Sequence, residues 1–187
     1  MLIAGVDEVG RGSLAGPVTA AAVILDPKVR IKGLKDSKSL SNKKRKLLEV
    51  QIKEKSICWN IFSVSSETID SINILQASLL AMKEAVLGLS LKPDKAIFDG
   101  LYSPNISISS LAIIKGDSRC ESIMAASIIA KVLRDKLMVN MDKKYRNYGF
   151  KSNKGYPTKL HINALKLHGP CEEHRKTFKP VLSMVYK

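Results

Sequence analysis

Gly5-Val6-Asp7-Glu8-Val9-Gly10-Arg11-Gly12-Ser13-Leu14-Ala15-Gly16-Pro17-Val18 is the stretch that decides the fold of this chain. A short apolar run, Leu2–Val6, leads into the adjacent acids Asp7 and Glu8. After a glycine-punctuated turn, a second run rich in β-branched residues covers Val18–Leu25. Two strands joined by a loop, with charge placed where the first strand ends, fit this pattern. Further along, Ile57–Val64, containing Trp59 and Phe62, reads as a third strand. Between strands two and three, Ser41 can cap a helix running to about Lys55, with Leu47, Leu48 and Ile52 as its inner face.

The remainder alternates. Ser65 or Ser66 opens a helical stretch whose apolar positions (Ile72, Leu75, Leu79, Met82, Val86) recur at helical spacing until Gly88. Lys95–Asp99 and Leu111–Ile114 are short β-like runs that end in Asp-Gly and in Lys-Gly-Asp. Ser122–Met141 is helical, with small residues (Ala125, Ala126, Ser127) in its first turns, and Thr158 caps a helix through His168 that Gly169-Pro170 ends. Three early strands followed by helix–strand alternation predict an α/β fold with a mixed sheet. One compact domain is expected, residues 1–145, with a basic helical appendage, 146–187, packed on it.

Thirty-one Lys and Arg against seventeen Asp and Glu give a net charge of +14 over 187 residues. Residues 28–55 carry +8 and residues 131–187 carry +10, while the two remaining segments carry −2 each. Two basic segments in one small chain favour a polyanion partner over a membrane, since no helix sets a broad apolar face opposite these lysines. No apolar stretch approaches the ~20 residues that span a bilayer. No secretory leader is expected either, because the first charges are acidic. Three cysteines without a CxxC pair fit a reducing cytoplasm and neither disulfides nor structural zinc.

Against this basic background, Asp7, Asp99 and Asp117 each fall where a predicted strand ends, and Glu8 adjoins the first. Ligands of open α/β sheets gather outside the carboxyl ends of strands. Carboxylates that converge there repel one another unless a hard cation such as Mg²⁺ or Mn²⁺ neutralises them. A pair of such ions suits phosphodiester displacement without a catalytic His, Ser or Cys. Taken singly, an Asp-Gly is a turn and an Asp-Glu pair is solvated surface. Gly10-Arg11-Gly12 lies close to the acids and lets backbone approach a ligand, although GxG in isolation is more often an ordinary turn. Tyr156, set among Lys154, Lys159 and His161, is an aromatic able to pack on a sugar or base; it is equally a surface plug.

The assembled motifs resemble type 2 ribonuclease H, the ribonuclease HII family. The resemblance starts from the quoted stretch. It continues through Leu34-Lys35-Asp36-Ser37-Lys38-Ser39-Leu40-Ser41, Phe98-Asp99-Gly100, Lys115-Gly116-Asp117-Ser118, Ala125–Val132 with Arg134-Asp135, and Gly155–His161. His174-Arg175 with Phe178-Lys179-Pro180-Val181 closes it. The resemblance implies an RNase H-like fold, three antiparallel strands continued by parallel ones. It implies a monomeric Mn²⁺- or Mg²⁺-dependent endonuclease acting on RNA·DNA hybrids and on duplex DNA with embedded ribonucleotides. The cut would fall 5′ of the ribonucleotide and leave 3′-hydroxyl and 5′-phosphate ends. By the same resemblance Asp7, Glu8, Asp99 and Asp117 match the metal-binding catalytic acids, and Gly10, Arg11 and Gly12 the loop that senses the 2′-hydroxyl. Tyr156 matches the tyrosine that packs on the next deoxyribose; Lys38 and Lys154 are expected to contact phosphates. Phe98 departs from the pattern, where a smaller β-branched residue is common. A nucleic-acid-binding protein without catalysis and another two-metal nuclease, such as a junction resolvase, are the competing readings.

Overall fold

The computed structural model describes residues 1–185. Five strands, β1 (Ile3–Val9), β2 (Val18–Leu25), β3 (Ser56–Val64), β4 (Lys95–Asp99) and β5 (Ser109–Ile113), form one sheet in the order β3-β2-β1-β4-β5. Pairing is antiparallel from β3 through β1 and parallel from β1 through β5. The helices are α1 (Asn42–Lys55), α2 (Ser66–Leu87), α3 (Glu121–Lys144), α4 (Phe150–Asn153), α5 (Lys159–His168) and α6 (Leu182–Val185). The expected α/β architecture, antiparallel strands continued by parallel ones, is what the chain forms.

β2 is apolar at nearly every position because both of its faces are buried. Val18, Ala20, Ala22 and Ile24 join the core beneath α2, while Ala21 and Val23 join the core formed with α1 and α3. Alanines dominate because helices lie close on both sides. The helix approach is closest at β1, where a Cβ on Gly5 would stand 2.2 Å from the Ser122 carbonyl carbon at the start of α3. The small residues of the first turns of α3 (Ala125, Ala126, Ser127) allow that approach and bring α3 alongside Asp7.

Several expectations shift in detail. Leu47 is 58% exposed, and only Leu48 and Ile52 of the expected inner face of α1 are buried. The helix turns its lysines and Leu47 outward together, which a three-residue apolar set could not resolve. α2 is broken at Asn73, whose φ of 66° lies in the left-handed region and whose side chain accepts from the N–H groups of Leu75 and Gln76, recapping the second half. β1 continues through Asp7 and Glu8, which pair with Ala21 and Ala20 of β2, after the parallel pairing to β4 has reached Val6–Phe98. Asp117 lies in a 3-10 turn, Gly116–Ser118, beyond β5 rather than at its last residue. Among the described residues no helix is long and apolar enough to cross a membrane.

Residues 146–185 pack on the end of α3 through a third core in which Tyr148, Phe150, Leu165 and Val181 meet Leu14, Ala15 and Met138. At its centre His161 and His174 are buried with their Nε2 atoms 3.0 Å apart. The surrounding bonds allow one proton arrangement. The Cys171 N–H donates to His174 Nδ1, so the His174 proton sits on Nε2 and points at His161 Nε2. His161 Nδ1 is then protonated and donates to the Tyr156 carbonyl at 2.9 Å. A charge on either ring would set N–H against N–H. Burial, reinforced by neighbouring His161, lowers His174 to about 4.

Because the fold disfavours the cationic form, the unfolded chain takes up the proton first, starting near the ordinary value of 6.5. The stability due to neutral His174 is therefore complete above pH 6.5 and lost as pH falls toward 4. Urea unfolding of wild type and His174→Gln across this interval should show the wild type losing up to about 3 kcal/mol more than the variant. Parallel pH profiles would show that His174 is not held neutral.

Candidate active site

Asp7 and Glu8 project from β1, Asp99 ends β4, and Asp117 follows β5, so three neighbouring parallel strands deliver the four acids to their common carboxyl end. Burial raises the Asp7 carboxyl well above its usual range, and Glu8 and Asp99 reinforce the shift, while a hydrogen bond from Ser127 opposes it. Glu8 is raised by burial against the pull of Arg11, whose Nη1 lies 3.4 Å from Oε1. The other oxygen, Glu8 Oε2, is buried with no protein partner. Burial and the neighbouring Asp117 raise Asp99; its Oδ1 accepts the Gly116 N–H at 2.6 Å and the Asp117 N–H at 3.4 Å. These N–H groups seat Asp99 and the 3-10 turn bearing Asp117 together.

Among the described residues no three acid, His or Cys side chains form a ready-made metal cage. The outer acids engage cationic side chains instead: Glu8 meets Arg11, and Asp117 accepts from Lys38 Nζ at 3.3 Å. Lys38 is largely exposed, and its charge also acts on Asp7 and Asp99. Clustered carboxylates whose charges oppose ionisation of Asp7, Glu8 and Asp99, with one Glu8 oxygen orphaned, are a donor set that suits a hard divalent cation. Asp7, Glu8, Asp99 and Asp117 are the side chains able to hold one.

The Gly10–Gly12 loop borders these acids. A cleft of about 260 Å³ opens between Arg11, Asp99 and Tyr102. The two glycines differ in kind. Gly10 has φ of +96°, and a Cβ there would stand 2.1 Å from Arg134 Nε, so the fold itself demands glycine. A Cβ on Gly12 would meet nothing within 4 Å, so packing does not demand glycine there.

Beneath the loop lie Arg134 and Arg175, both fully buried and, among the described residues, without a salt bridge. Arg134 donates to the Pro17, Ala15 and Lys154 carbonyls and to Ser13 Oγ. Arg175 donates to the Gly10 carbonyl at 2.7 Å, the Arg11 carbonyl at 2.8 Å, and the Gly16 carbonyl. Burial, with Arg134 adding to it, lowers Arg175 to about 9, which leaves it cationic at neutral pH. The half-buried Tyr156 ring lies 5.5 Å from the Arg134 guanidinium and 5.9 Å from Lys131 Nζ. Gly155, one residue before it, accepts the Leu14 N–H. Tyr156 and the Gly10–Gly12 loop therefore rest on neighbouring supports, Arg134 beside the ring and Arg175 under the loop.

Lys154 lines a groove of about 440 Å³ between α1 and α3 that also includes Lys46 and Lys136, so both basic segments meet there. Its ammonium turns back to the Lys151 carbonyl and is lowered by burial. Sequence reasoning did not assign Arg134, Arg175 or the histidine pair a role at the site. Only their place within the late motifs marks them, since a lone Arg or His carries no positional signal.

The family model described as ribonuclease HII matches residues 4–181. Ribonuclease HII of Vibrio parahaemolyticus is 55% identical over 180 residues, which cover 96% of this chain and 85% of that protein. The ribonuclease H2 crystal structure from Pyrococcus horikoshii superposes with a TM-score of 0.81 at 27% identity, covering 98% of this chain and 97% of that one. The crystal structure of Bst-RNase HIII in complex with Mn²⁺ shares the fold, with a TM-score of 0.78 at 19% identity over 99% of this chain and 69% of that chain.

If the buried Asp7 carboxylate is repelled as the geometry requires, Asp7→Asn should raise the thermal midpoint in EDTA by about 2–4 °C, the shift expected for roughly 1 kcal/mol. Adding Mn²⁺ should stabilise wild type more than the variant. Equal midpoints in EDTA, with equal Mn²⁺ stabilisation, would show that Asp7 neither suffers repulsion nor meets the ion.

Proposed function

The chain belongs to the ribonuclease HII family, an endoribonuclease H hydrolase acting on RNA·DNA hybrids, and from that premise we propose that it also cuts at single ribonucleotides embedded in duplex DNA. Cleavage would fall on the 5′ side and leave 3′-hydroxyl and 5′-phosphate ends. The observation that carries this reading is the neighbouring supports of the Gly10–Gly12 loop and Tyr156 beside four clustered acids.

The acids fit Mn²⁺ or Mg²⁺, with Asp7, Glu8, Asp99 and Asp117 as ligands. Divalent ions held there would supply charge stabilisation to a phosphodiester displacement. The chain's own residues do the selecting. Gly12 leaves open space for close approach of a ribose, whose 2′-hydroxyl distinguishes RNA from DNA as donor and acceptor. Tyr156 packs on the following sugar, where a 2′-hydroxyl would crowd the ring, so it favours deoxyribose there. Together the two describe a 5′-RNA–DNA-3′ junction. Lys38, drawn to Asp117 in this structure, can turn to a substrate phosphate, and Lys154 serves the same end in the groove between α1 and α3. Three free cysteines suit work in a reducing cytoplasm, with the enzyme acting as a monomer.

Duplex DNA with one ribonucleotide, tested with Mn²⁺ or Mg²⁺ against all-DNA and all-RNA duplexes, decides the reading. Wild type should cut only beside the ribonucleotide, and Asp7→Asn should lose well over tenfold in kcat. Tyr156→Ala should lose far more kcat/KM on that duplex than on one with four consecutive ribonucleotides. Binding without cleavage would indicate a non-catalytic binder, and cleavage indifferent to ribose would indicate a nuclease of other specificity.

The two basic segments should contact phosphates without reading bases. Hybrid affinity should then fall with log salt at a slope of roughly −0.9 per phosphate neutralised, independent of sequence. A flat salt dependence would make these lysines a solvated face.

A further inference from the structure

Residues 173–175 contact the loop assigned to recognition directly and reach Tyr156 through His161. Their backbone pairs with the turn after Gly12: the Gly16 N–H donates to the Glu173 carbonyl at 2.9 Å and the Arg175 N–H to the Leu14 carbonyl at 2.8 Å, with Ala15 and His174 bridged antiparallel. From this segment two adjacent side chains diverge. Arg175 reaches under the Gly10–Gly12 loop, and His174 reaches His161, which holds the Tyr156 carbonyl.

In a trans peptide the carbonyl and the N–H point in opposite directions. Arg175 draws the Gly10 and Arg11 carbonyls inward, so the N–H groups of Arg11 and Gly12 face outward from exposed residues. Tyr156 is held less directly, through the single proton arrangement that His174 imposes on His161. An apolar side chain at position 175 would fill the interior at less cost than a guanidinium without a carboxylate. A guanidinium can gather carbonyls from both ends of one loop, and an apolar group cannot.

We infer that the dipeptide His174-Arg175 is a positioning unit for ribose selection, aiming the loop N–H groups through Arg175 and seating Tyr156 through His174 and His161. The spacing between the two sensors is then set by one short, doubly anchored peptide. This inference rests on the reading of the loop and Tyr156 as sensors of an RNA–DNA junction.

The test compares wild type, Arg175→Lys, Tyr156→Ala and the double variant by kcat/KM on duplexes with one ribonucleotide and with four. Lysine keeps the charge but loses the planar fork. Misaimed N–H groups should cost Arg175→Lys about tenfold on the four-ribonucleotide duplex, mainly in kcat. Disturbed seating of Tyr156 should cost a further severalfold on the single-ribonucleotide duplex, and that extra loss should vanish when Tyr156 is already Ala. Equal losses on both duplexes, or an extra loss that persists without Tyr156, overturns the inference. If Arg175→Lys is unfolded by circular dichroism, His174→Gln and His174→Leu decide. Gln keeps a donor toward His161 and should retain the wild-type ratio of kcat/KM between the two duplexes, whereas Leu should lower it severalfold; equal behaviour overturns the coupling. Tyr156→Ala keeping the wild-type ratio of kcat/KM between the two duplexes overturns the sensing reading and this inference with it.

Discussion

Two buried guanidinium groups govern how the loop between β1 and β2 can be built. Arg134 and Arg175 have no exposed surface and no ion-pair partner among the described residues. A buried cation left without partners costs several kcal/mol, so the chain must bring acceptors to it. The acceptors it brings are carbonyls of Gly10, Arg11, Ala15, Gly16, Pro17 and Lys154. Three separate segments thereby share one geometry: the loop after β1, the end of α4, and the strand-like piece at Glu173–Arg175. The loop's carbonyls are held in place by these donors, since turning one away would leave a guanidinium N–H buried without an acceptor.

The acid cluster is built on the opposite principle. There the two-sided burial of the sheet places carboxylates beside one another, and their repulsion is only partly relieved by Arg11 and Lys38 at the rim. One region is a cation satisfied by dipoles, and its neighbour is an anion cluster short of cations. Between them runs the Gly10–Gly12 loop, with the Gly10 and Arg11 carbonyls toward Arg175 and the N–H groups of Arg11 and Gly12 outward. A polyanion with a bound divalent ion fits the anion cluster, and an acceptor such as a sugar oxygen fits the outward N–H groups. The +14 net charge supplies the wider attraction that brings such a ligand to the surface.

Much of this was legible in local pattern. The apolar run of β2, the caps Ser41, Ser65 and Thr158, and the stops at Gly88 and Gly169 lie where the sequence reading puts them. These features depend on neighbours a few residues away, which is why a linear reading reaches them. Leu47 and the break at Asn73 escaped because an apolar stripe of a few residues does not say which turn meets the core. Asp7, Glu8, Asp99 and Asp117 stood out because charge at the end of an apolar run is itself unusual. The offset of Asp117 into a 3-10 turn did not.

The mixed sheet, the order of the elements, the basic segments and the position of four acids near strand ends were all readable along the chain, because each is written in residue type and spacing. Only the tertiary structure decided that Gly10 is demanded by Arg134 while Gly12 is bare toward solvent, since nothing in Gly-Arg-Gly distinguishes its two glycines. It alone also decided that His161 and His174, thirteen residues apart, form one neutral pair, and that Arg175 lies beneath a loop 164 residues away. Such contacts join parts of the chain whose separation carries no period and no local preference. They arise when the sheet, α3 and the C-terminal helices close on one another and every buried donor must find an acceptor.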